Sequence, residues 1–181
     1  MLFIPILSVA FPTSSPEEMS RNNEQYKKLG LLRWEDGKDH LLPQDFADML
    51  GWKELANKVD EAYSQMPDPQ NTLVVCDNYG EAGAINYYTT KDIKAVSFSA
   101  DYINWFDLIR QYKNLIRVKE YSRRNNELEK TSPYFRFSSI ADSITNEYAR
   151  EYGTTIFSFV QAKININEHF EKEIENYRST K

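Results

Sequence analysis

The apolar positions of this chain change their period along its length, and the changes mark its elements. Leu55, Val59, Ala62, Tyr63 and Met66 recur at spacings of four, three, one and three, which predicts a helix from Trp52 that Pro67-Asp68-Pro69 ends. Thr72 to Asp77 is a continuous apolar run rich in β-branched residues, and between helices it predicts a buried parallel strand. A turn over Asn78 to Gly83 then enters a helix from Glu81 to about Tyr88. Ala95 to Ser99 predicts a second strand, and the alternating Leu115 to Tyr121 a third. A charged, polar connection fills 123–133. Tyr134 to Ile144 fits either a strand with a turn or a strand running into a short helix. Thr154 to Ala162, with Ile156, Phe157, Phe159 and Val160, predicts a further strand. Ile166, Phe170, Ile174 and Tyr177 lie on one face of a final amphipathic helix.

Upstream, Ser15-Pro16-Glu17-Glu18 carries the signature of a helix start, with Ser15 as cap, Pro16 in the first turn and Glu18 as the reciprocal carboxylate. That helix is expected to reach about Lys28, with Gly30 closing it. A polar loop runs to His40, and a second helical stretch starts at Pro43 and is interrupted by Gly51. Strands alternating with helices predict a layered α/β fold: a mostly parallel sheet flanked by helices, of Rossmann-like topology. No linker separates two domains, so 15–181 reads as a single domain after an apolar segment, 1–14. Met1 to Phe11 is shorter than the roughly 20 residues of a spanning helix, contains Pro5 and lacks a basic signal-peptide start. It fits a buried or edge strand, or a remnant of the point where a longer chain leaves a membrane, with Met1 an artificial start.

Composition narrows the function classes. At 181 residues, with 12 Tyr, 10 Phe and 3 Trp, the chain has ample material for a core. A net charge of −5 and the lack of a basic patch argue against a nucleic-acid partner, since Arg123-Arg124 sits among Glu120, Glu127 and Glu129. One cysteine, Cys76, excludes an internal disulfide, and its apolar setting predicts an inert buried thiol. His40 and His169 show no ligand spacing, so neither metal nor cofactor is expected. Asp107/Arg110 and Glu147/Arg150 have the spacing of ordinary ion pairs.

Two segments could hold a ligand. Asn78, Tyr79, Gly80, Glu81 and Gly83 lie between a strand end and a helix start, where parallel sheets bind ligands and glycines admit close approach. The run lacks the full dinucleotide or P-loop pattern, and a tight turn packed with small residues explains it equally. Ser97, Tyr102 and Trp105 follow the second strand and fit either a stacking platform or a partly buried aromatic corner.

Four ordered strings carry a resemblance: Pro5-Ile6-Leu7 with Pro16-Glu17; Leu42-Pro43-Gln44-Asp45-Phe46-Ala47-Asp48 through Gly51-Trp52; Asn78-Tyr79-Gly80-Glu81-Ala82-Gly83-Ala84; and Ser97 to Tyr102 with Trp105. Over residues 4–120 the series resembles the C-terminal extracytoplasmic region of bacterial membrane glycosyltransferases of family 39, relatives of the dolichyl-phosphate-mannose–protein mannosyltransferases. Relatives often show Ser-Gly-His-Asn-x-Tyr where this chain reads Ser97-Phe98-Ser99-Ala100-Asp101-Tyr102. The resemblance implies a noncatalytic accessory domain on the periplasmic face. Its implied partner is the membrane-embedded catalytic part of the same protein, with a sugar or lipid phosphate as possible ligand. It implies no catalytic residue in this chain. One alternative is a small-ligand module that binds a sugar or phosphate at the Asn78–Gly83 and Ser97–Trp105 loops, and another is a free-standing enzyme using Asp77 or Glu81 as acid or base.

Overall fold

The computed structural model describes residue 11 and residues 13–180. The apolar segment expected over 1–14 falls largely outside them. The chain divides into two compact units, Met1–Gly51 with Asn146–Tyr152, and Trp52–Thr145 with Gly153–Lys181. No composition shift in the sequence announces this division.

In the first unit, helix α1 (Pro16–Arg21) starts as its sequence dictates, with Ser15 Oγ accepting from Glu18 N–H at 3.3 Å. The helix expected to run on to Lys28 is broken. Asn22 leaves the helical region at φ −109°, ψ 31°, and α2 (Glu24–Lys28) begins anew. Asparagine competes with the helix for backbone hydrogen bonds, and two stand here in succession. Short α3 (Gln44–Ala47) follows Pro43. Met19, Tyr26, Leu32, Leu42 and Phe46 form the core of this unit, with Tyr148 packed against it. Trp34 Nε1–H donates to Leu42 O at 2.8 Å while its ring stacks on His40.

The second unit holds α4 (Trp52–Ser64), β1 (Thr72–Cys76), α5 (Tyr79–Tyr88), β2 (Ala95–Ser97) and β3 (Asn114–Lys119). It continues with α6 (Glu127–Thr131), β4 (Phe135–Ser143), β5 (Thr155–Ala162) and α7 (Ile166–Ser179). The strands form one five-stranded sheet in the order β2-β1-β3-β5-β4. β2, β1 and β3 are parallel, but β5 pairs antiparallel with both β3 and β4. The α/β sheet with flanking helices is as expected, whereas a mostly parallel sheet is not what forms. Parallel pairing needs a long crossover, usually helical. Residues 144–154 contain no helix, so β5 returns beside β4 in the opposite sense. The ambiguous 134–144 stretch is strand over Phe135–Ser143, with a bulge between Ile140 and Asp142 and no helix after it.

Register lines up Leu73, Leu115 and Phe159 on one sheet face, where Ile166 and Phe170 of α7 cover them. Alternation turns Val74, Ile116 and Ile156 to the other face, and all three are buried there too. Burial of each such side chain contributes about 1.5–3 kcal/mol. Two polar clamps hold the helices. Asp60 of α4 accepts from Thr90 N–H and Thr90 Oγ1–H just beyond α5. The Asn86 amide exchanges two hydrogen bonds with the Ala95 backbone, fixing α5 to edge strand β2.

Candidate functional site

The carboxyl ends of β1 and β2 lie side by side, with Cys76 in register with Ser97. Both candidate segments leave the sheet there. The helix after β1 starts at Tyr79, two residues earlier than the sequence suggested, because Asn78 caps it. Asn78 Oδ1 accepts from Glu81 N–H at 2.8 Å. Glu81 Oε2 accepts from Asp77 N–H at 2.9 Å and Asn78 N–H at 3.2 Å. This is a closed capping box, and Glu81 is wholly buried inside it. Asn78 Nδ2–H donates onward to Glu120 Oε1 at 3.0 Å. Asn78 and the Oε2 atom of Glu81 thus hold the turn in place, while Tyr79 is exposed.

The glycines of this turn are there for contact. A Cβ on Gly83 would stand 3.0 Å from the Tyr102 hydroxyl, and one on Gly80 3.1 Å from Asn78 Oδ1. Gly83 therefore joins the two loops. Tyr102 stacks on Trp105 with ring centroids 4.3 Å apart, and Trp105 keeps 44% of its surface in solvent. Ser97 is fully buried, and its Oγ accepts from Ser99 N–H at 3.0 Å. The eight sequence-predicted residues therefore converge on one edge of the sheet. Asn78, Gly80, Glu81, Gly83 and Ser97 build the support, and Tyr79, Tyr102 and Trp105 supply aromatic surface.

Beside this edge lies a charge network that the sequence did not single out. Lys119 Nζ–H donates to Asp77 Oδ1 at 2.6 Å and stands 3.8 Å from Glu127 Oε2. Asp77 Oδ2 accepts from Glu120 N–H at 3.1 Å. Arg117 Nε is 3.5 Å from Glu127 Oε1, which also accepts from Thr131 Oγ1–H at 2.9 Å. These four charged side chains are between 6% and 18% exposed, so each needs its counter-charge. One signal was present. Arg117 and Lys119 alternate on a strand that neighbours cover on both faces, which demands buried carboxylates nearby.

Cys76 is buried, and desolvation pushes its thiol well above its ordinary 9.0, which suits the inert role expected of it. Arg150 does not depend on the expected Glu147 partner, since it reaches Asp48 at 3.1 Å and Glu35 at 3.4 Å. Arg110 Nη1–H donates to Gln70 O. Among the described residues no group of three or more His, Cys, Asp or Glu is placed to hold a metal ion. Nor is any helix there long and apolar enough to cross a membrane. The fold and the site together define a mixed α/β sheet with two joined loops at the ends of its parallel strands. Comparison of the chain with models of protein families, with characterised proteins and with solved structures finds no match.

Proposed function

We propose that this chain is a noncatalytic accessory domain, on the extracytoplasmic side of the membrane, of a glycosyltransferase that draws on a polyprenyl-phosphate-sugar donor. It positions the acceptor or supports the catalytic loops of the membrane-embedded part. The observation that carries this reading is the closed capping box. The two carboxylates best placed for acid–base work, Asp77 and Glu81, are spent on Lys119 and on backbone N–H groups. A general acid or base needs a reachable proton and a tuned environment, whereas these groups serve as scaffold. The parallel β2–β1–β3 half, with α5 crossing between β1 and β2, is the part that a Rossmann-like topology would share. The quickest check is the native reading frame: if it does not continue into many hydrophobic helices, the proposal fails. In the full-length enzyme, deleting this domain is expected to lower transfer or change the acceptor range. Unchanged transfer and range would sink the reading.

A second reading is favoured by one observation, the half-exposed Tyr102–Trp105 stack supported by Gly83. Flat aromatic faces beside a strand-end turn suit a sugar ring or phosphorylated headgroup. NMR titration with glycans and lipid-phosphate headgroups is expected to move resonances of 78–83 and 97–105. Shifts confined to other segments would remove this reading.

A further inference from the structure

The far face of the charge network opens on a cleft of about 200 Å³, set among α6, the segment after it, β3 and α7. Its walls are apolar: Leu115, Phe135, Ile166 and Phe170 belong to the sheet-and-helix core and line it. Arg117 lies in this lining with its side chain only 18% exposed. Among the described residues the Arg117 guanidinium donates no hydrogen bond. Its Nε is buried without an acceptor, and its ion pair to Glu127 is long at 3.5 Å. Arg117 balances the charge of Glu127 across this distance, while the Glu127 carboxylate takes its hydrogen bond from Thr131, so the guanidinium fork is left with donors to spare. Lys130, Ile164 and His169 also line it, as do the carboxylates of Glu127 and Glu173, the latter 4.0 Å from His169.

A guanidinium carries five N–H donors in a planar fork, and burying even one of them without an acceptor, as at Arg117 Nε, is costly. The fork matches two oxygens of one oxyanion. The apolar walls match a short hydrocarbon or aromatic body, and the volume limits the occupant to something smaller than a drug-sized ligand. We propose that this cleft binds a small organic oxyanion on an apolar body, its charged end on Arg117 and its body against Phe135 and Phe170. The site is separate from the loops of the proposed accessory function and does not rest on that function.

The test is calorimetric and NMR titration of the full chain with phenylacetate, phenyl phosphate, inorganic phosphate and the uncharged 2-phenylethanol. Phenylacetate or phenyl phosphate is expected to bind, moving His169 and Ile164 resonances, and the preferred arm tells carboxylate from phosphomonoester. Inorganic phosphate and 2-phenylethanol are each expected to bind at least about tenfold more weakly, since each lacks one half of the recognition. Arg117→Lys keeps the charge but loses the fork, and a loss of about tenfold in affinity is expected. Arg117→Met serves as a second variant, with circular dichroism reporting its fold. Failure of both aromatic anions to bind wild type at millimolar concentration overturns the proposal. So does equal binding by 2-phenylethanol, or undiminished binding by both folded variants.

Discussion

Replacing Glu81 with alanine strips an acceptor from two backbone N–H groups at the end of β1, Asp77 and Asn78. Asp77 N–H keeps Val118 O at 3.1 Å, but Asn78 N–H would be left in a part-buried turn, so Glu81→Ala is expected to cost about 2 kcal/mol. Glu81→Gln retains one acceptor oxygen and the side chain's volume, and about 1 kcal/mol is expected. Urea titrations with unchanged slopes measure the difference. A larger loss for the glutamine variant would contradict the capping role. Gly83→Val tests the link between the loops, because its Cβ would meet the Tyr102 hydroxyl at 3.0 Å. Tyr102 must then shift its ring away from Trp105, which altered tryptophan emission would report. Unchanged emission would mean that the two loops are not coupled through this contact. At this scale the sequence was informative where partners are local. The Asn78/Glu81 pair spans three positions and is visible as a capping pattern. The Asp77–Lys119 pair spans 42, and no local pattern announces such a partner.

Elements in this protein are held by single polar residues as much as by apolar faces. Asn167, near the start of α7, is buried and donates through Nδ2 to Leu108 O at 2.7 Å and Arg110 O at 2.8 Å. Its Oδ1 accepts from Tyr112 N–H at 3.0 Å, so one amide holds the whole segment leading into β3. Asn167→Leu is expected to cost about 2–4 kcal/mol and to raise amide hydrogen exchange over 107–113. Exchange that stays slow there would refute this role. Gly153, just before β5, sits at φ +80°, and a Cβ there would come within 2.5 Å of the Tyr121 ring. Gly153→Ala therefore meets both strain and overlap, and a loss of about 2–4 kcal/mol is expected in thermal or urea unfolding. Apolar periodicity disclosed α4, β1, β5 and α7 because each buries a regular face. It did not disclose the break at Asn22, which depends on side chains competing for the backbone. It also left the direction of β5 open, since direction depends on the connection and not on the strand's own pattern.

For the molecule as a whole, the shifted titrations of the alkaline range point one way. Burial raises the thiol of Cys76 well above 9.0 and the hydroxyls of Tyr63 and Tyr112 above 10.0. For Lys58, burial pulls the ammonium down, but Glu54 and Asp142 outweigh it and hold it above 10.5. In each case the folded chain keeps a proton that the unfolded chain releases first. Unfolding then releases protons, so raising the pH favours it. Stability is expected to be insensitive to these groups below about pH 9 and to fall above it. Melting temperatures from pH 7 to 11 check this, and a rise across the alkaline range would contradict it. The passage of 146–152 back into the first unit bears on how the chain is made. Arg150 N–H donates to Ala47 O, and Arg150 pairs with Asp48 and Glu35, yet roughly a hundred residues of the other unit are synthesised in between. The ribosome therefore delivers the N-terminal unit's last piece only after most of the sheet has emerged. The first 51 residues must wait unfinished during translation, with Phe46 and Leu42 short of their Tyr148 cover, and that interval is when the nascent chain is most open to proteolysis or a chaperone.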